Sequence, residues 1–66
     1  MYIIMKKTRA VENPTKLNAY RGPACKEAGV QPGLVYISKM EAQEDAIKLG
    51  KINPVGFVVL PLIKND

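Results

Sequence analysis

The sequence predicts a small α+β domain of ββαβ topology that takes in the whole chain, residues 1–66. Three observations carry this. Residues 2–7 and 34–37 are short runs rich in aromatic and β-branched side chains. Residues 38–51 are charged, with apolar positions at helical spacing. Residues 55–63 are apolar again after a break at Asn53 and Pro54. A helical crossover makes the second and third strands parallel and their connection right-handed. Inserting the first strand between them, antiparallel to both, gives a three-stranded mixed sheet of order 2-1-3 with one main helix on one face.

In the first strand Tyr2 and Ile4 share one face, and Ile3 and Met5 the other. Both faces are apolar, which suits a central strand covered on both sides. Residues 8–32 are too many for a structureless connection in so small a domain. Within them, residues 15–20 read as a short extended segment after the turn-forming pair Asn13 and Pro14. Residues 23–28 read as a short helix in the connection, with Gly22 at the cap, Pro23 at the first helical position and Gly29 just past the end. Gln31, Pro32 and Gly33 turn the chain into the second strand, where Leu34 and Tyr36 share a face, as do Val35 and Ile37.

Ser38 and Glu41 form a capping box that opens the main helix. Ala42, Ala46 and Leu49 form its buried stripe, flanked by Met40 and Ile47, and the alanines let it lie close on the sheet. Glu44 and Lys48 are spaced for an ion pair on the wet side. In the third strand Val55, Phe57 and Val59 alternate with Gly56, Val58 and Leu60. Pro61 lacks a donor and belongs at an edge, and Asn65 and Asp66 follow as a tail.

Both faces of this sheet are apolar, yet one helix covers only one. Either residues 20–30 or a second molecule must cover the other, because an open apolar face of that size marks an interaction surface. A homodimer through the uncovered face, or a dedicated protein-binding face there, is expected. Self-association also suits the size of the chain, since small cores rarely supply more than about 3–5 kcal/mol.

Other stabilising devices are missing. Cys25 is the single cysteine, so no disulfide forms within one chain, and there is no histidine. One thiol makes no zinc set, and no metal or cofactor is expected. At the N-terminus apolar residues precede Lys6 and Lys7, the reverse of a signal peptide, and no run reaches the roughly 20 apolar residues of a membrane span. A cytoplasmic location is expected, that of the host cell for a viral chain.

The same composition argues against an enzyme. Without histidine the commonest general base is gone. Cys25 has no imidazole partner and reads as a small hydrophobe. Glu44 and Asp45 are neighbours on a helix and do not converge. The glycines form no phosphate-cradling pattern.

Charge points elsewhere. The net charge of +4 lies in the first half: residues 1–33 carry Lys6, Lys7, Arg9, Lys16, Arg21 and Lys26 against Glu12 and Glu27, and residues 34–66 balance to zero. The candidate binding surface is therefore Arg9, Lys16, Tyr20, Arg21 and Lys26. A protein-interaction module is the leading reading. A small nucleic-acid-binding protein using the same residues is the alternative, since basic residues beside an aromatic suit phosphates and stacked bases.

Glu41, Ala42, Ala46, Leu49, Asn53, Pro54, Val55, Gly56, Phe57, Val58 and Val59 together resemble the C-terminal half of small proteins common in bacteriophages and prophages. In those a short strand leads into an alanine-rich helix and then a strand of Phe-x-Val type. The resemblance covers about half of the chain. It implies an accessory protein that binds a host or phage protein, and it supplies no site residues. Residues 10–32 lie outside it, so specific function is expected there.

Overall fold

The alternation of residues 2–6 makes a strand in the computed structural model, which describes residues 1–9 and 13–63. The tail expected at Asn65 and Asp66 lies outside the described residues, as does Glu12. Strand β1 (Tyr2–Lys6) pairs antiparallel with β2 (Phe57–Pro61), Tyr2 opposite Pro61 and Lys6 opposite Phe57. This register gathers Tyr2, Ile4, Phe57 and Val59 on one face and Ile3, Met5, Val58 and Leu60 on the other.

The expected three-stranded mixed sheet is not formed: the sheet has two strands, and they are antiparallel. The expected second strand, residues 34–37, contributes only an antiparallel bridge, in which Tyr2 and Tyr36 exchange N–H···O bonds of 2.8 Å. The reason lies at the next position along the edge of β1. The Ile4 carbonyl there accepts from the Tyr20 N–H at 2.8 Å, and the Tyr20 carbonyl accepts from the Gly33 N–H at 2.9 Å. Tyr20 thus takes the place where Leu34 would have to pair. The chain leaves at Gly33 through a left-handed turn (φ +67°), which glycine adopts without steric cost. The third strand is also shorter than expected. Val55 and Gly56 belong to the turn before it, where Asn53 Oδ1 accepts from the Val55 N–H at 3.1 Å.

The first face is covered by two helices. Helix α1 (Ala24–Ala28) buries Ala24 and Cys25 and ends at Gly29, whose φ of +73° closes the turn. Helix α2 (Lys39–Ile52) starts after the expected cap residue, with the Glu41 N–H donating to Ser38 Oγ at 3.3 Å, but the return bond from the Glu41 side chain that would complete the expected capping box is not made. Ala42 and Leu49 are buried and Ala46 is packed against the same core, but Met40 and Ile47 stand 69% and 61% exposed. Lys48 pairs with Asp45, at 3.6 Å, one position short of the expected Glu44. The two helices, Ile4, Val30 and Tyr36 close one core. Residues 20–30 therefore lie on the helix side of the sheet and do not cover the second face.

That second face is crossed by the preceding segment. Past the end of β2, the Ile63 N–H donates to the Pro14 carbonyl at 2.9 Å, while at the outer edge of β1 the Tyr20 N–H reaches Ile4. Residues 14–20 run between these points as a strap. Where an extended segment was expected they form a 3-10 turn, Lys16–Asn18. Ala19 is buried against Ile3 and Met5, both 0% exposed. Among the described residues no helix is long and apolar enough to cross a membrane.

Candidate functional site

Of the five sequence candidates, the fold brings three together. Arg9 comes back from the 3-10 turn after β1 (Lys7–Arg9), and Tyr20 and Arg21 follow the strap. With Lys6, at the end of β1, they line a groove of about 330 Å3 whose wall is completed by Asn18 and Ala19. Lys6, Tyr20 and Gly22 also border a second groove of about 320 Å3, reaching Glu27, Ile52 and Pro54. Lys26 lies exposed on α1, outside both grooves. The Lys16 side chain is outside them as well, and what Lys16 supplies is its carbonyl.

Arg21 explains that carbonyl. Its Nη1 donates to the carbonyls of Leu17 (2.9 Å) and Ala19 (3.1 Å), and its Nη2 donates to that of Lys16 (2.9 Å). One guanidinium thereby satisfies the exposed acceptors of the strap turn, which suits its rigid fork of donors. Its Nε faces Gly33, where an added Cβ would come within 2.7 Å. Arg21, expected as a contact for a partner, is thus first a clip that holds the strap. The carbonyls leave its positive charge uncancelled.

Tyr20 is also structural in part. Its ring meets Phe57 edge-on, with centroids 4.7 Å apart, and folds over Gly22, where any Cβ would overlap it. The half-buried Lys6 has no ion-pair partner among the described residues.

The groups capable of chemistry are otherwise engaged. Cys25 is buried, and that burial pushes its thiol up from the usual range although a backbone hydrogen bond opposes the shift. Tyr36 Oη donates to Asp45 at 2.6 Å. Burial first, then this hydrogen bond and the carboxylate charge, push the Tyr36 phenol well above its ordinary value. Asp45, read in the sequence only as a helical neighbour of Glu44, is therefore an anchor between α2 and the 34–37 segment. Its helical spacing hid this, because Tyr36 reaches it only through the fold. Among the described residues no cluster of histidine, cysteine or carboxylate side chains is arranged to hold a metal.

A second surface is apolar. The pairings Tyr2–Tyr36 and Tyr2–Pro61 put Ile37, Met1 and Leu62 side by side, with Val35, Ile3 and Leu60 in the next row. The strap seals Ile3 and starts beside Leu62, which is half-buried, and it leaves the rest of the outer row open: Ile37 is 81% and Met1 66% exposed. Position in the alternation already put Val35 and Ile37 on one face. What the sequence reading missed was that the strap would cover one end of that face and leave the other open.

Comparison with protein-family models, with curated proteins and with solved structures finds no match.

Proposed function

We propose that this chain is a non-enzymatic protein-interaction module that pairs with a second copy of itself through the open row of its sheet. The observation that carries the reading is the exposed pair Ile37 and Met1 on the second face, beside the half-buried Leu62. No charged side chain stands within that row, so a partner surface of the same apolar character fits it, and a second copy supplies one. A chain of 66 residues also gains more from such burial than a larger one does. The engaged states of Cys25, Tyr36 and Asp45 favour a binding role over catalysis. An accessory role of the phage type, toward a host or phage protein in the cytoplasm, follows from the resemblance over residues 41–59 and belongs to the same proposal.

Amide chemical shifts recorded over a concentration series test where association occurs. The expected result is movement confined to Tyr2, Val35, Ile37, Leu60 and Leu62. Movement centred on Met40 and Ile47 of α2 would contradict the reading.

A further inference from the structure

We infer that the groove between Lys6, Arg9, Tyr20 and Arg21 is a site for the phosphate group of a nucleotide, free or within a single strand. Three cationic side chains converge on it from separate parts of the chain: the end of β1, the turn after it and the end of the strap. Among the described residues no carboxylate lines it.

Two of these cations have no carboxylate partner among the described residues, and one of them is held in place. Arg21 is fixed by three carbonyl oxygens, so its orientation is set before a ligand arrives, and neutral acceptors leave its full charge to the groove. Lys6 is half-buried at the strand end, faces both grooves and has no ion-pair partner among the described residues.

The size is right for more than an isolated ion. About 330 Å3 lies at the small end of ligand sites, which begin near 300 Å3. Phosphate is favoured over carboxylate because Lys6 and Arg21 reach the groove from separate elements, the end of β1 and the end of the strap, which suits an acceptor with several oxygens. Asn18 and Tyr20 add polar and aromatic surface beside the cations, as sugar and base require.

The experiment is an amide-shift titration of the whole chain at low salt with three probes: adenosine monophosphate, a ten-residue oligothymidylate and polyglutamate. Each is repeated with Lys6→Gln and with Lys51→Gln, a charge-matched change at the exposed end of α2. The expected shifts lie at Lys6 and at residues 18–22. Lys6→Gln should weaken nucleotide binding about fivefold and Lys51→Gln less than twofold. For the oligonucleotide, the charges of Lys6 and Arg21 predict a slope of about −1.4 in log affinity against log salt, reduced by about 0.7 in Lys6→Gln. Tighter binding of the strand than of the mononucleotide makes the groove part of a strand track; equal binding makes it a discrete nucleotide site. The inference is overturned if polyglutamate binds as tightly through the same amides, if the two lysine changes weaken binding equally, or if neither nucleotide probe shifts the groove. Lys6→Gln does not touch the contacts of Arg21, and the wild-type shift map stands without it.

Discussion

At the scale of single residues, Arg21 shows how far a side chain can be read from its type. Its charge and its neighbour Tyr20 were visible in the sequence. Its three carbonyl partners were not, because they depend on a 3-10 turn at Lys16–Asn18 that propensity does not announce. Gly33 tests this clip. Alanine there must adopt a left-handed φ, at about 1–2 kcal/mol, and must also displace a pinned guanidinium. Gly33→Ala should therefore cost clearly more in the native Arg21 background than with Arg21→Ala, a coupling that a double-mutant cycle in urea denaturation measures. Additive losses would mean that Arg21 does not hold Gly33 and the strap together.

Tyr36 gives a prediction in pH. Its folded phenol titrates above the ordinary value, because of burial and then Asp45. The protonated form therefore contributes stability that is fully present below the unfolded phenol value of about 10. It is lost as pH rises from there through the folded value. Tyr36→Phe should lose about 1–2 kcal/mol near neutral pH, with the bond to Asp45 gone. It should then fall less steeply than the native chain above about pH 10. Parallel curves for the two proteins would place the alkaline loss on another group.

At the scale of elements, the main helix was legible almost to the residue. Ser38, Glu41 and the stripe Ala42, Ala46 and Leu49 act within a single helix, where spacing alone decides who meets whom. Ser38→Ala should lower stability by about 1 kcal/mol, read from thermal or urea unfolding. A loss within error would mean that the 3.3 Å contact to the Glu41 N–H contributes little. The sheet was less legible, since strand pairing is settled between distant segments. The alternation of Leu34, Val35 and Tyr36 is that of a strand, and Tyr36 does bridge Tyr2. What stops the ladder is a competitor: Tyr20 occupies the Ile4 carbonyl, and nothing local to residues 34–37 records that. The same competition makes the strap, because a segment that leaves Pro14 near β2 and ends on the far edge of β1 must cross the sheet.

For the whole molecule, the excess of apolar strand surface over helix cover was the most useful thing the sequence offered. Its resolution is split. Residues 14–20 seal Ile3 and Met5 at one end of the second face, and Ile37 and Met1 remain open at the other. The basic candidates divide in a similar way. Arg9, Tyr20 and Arg21 gather with Lys6 at a groove, while Lys26 and the Lys16 side chain lie outside it. Charge counting places cations in a half of the chain, and only the fold gathers them at one point. The open row is where the central claim of self-association is most exposed to test. Ile37, 81% exposed in the single chain, can be replaced without disturbing its core. Burying such a side chain contributes about 1.5–3 kcal/mol per copy. Sedimentation equilibrium of the native chain and of Ile37→Lys decides the matter. The native chain should approach twice its 7.3 kDa as concentration rises, and Ile37→Lys, with two copies of the side chain lost per dimer, should need at least about a hundredfold more protein to do so. A native chain that stays at 7.3 kDa to millimolar concentration, or a variant that associates as readily, would contradict it.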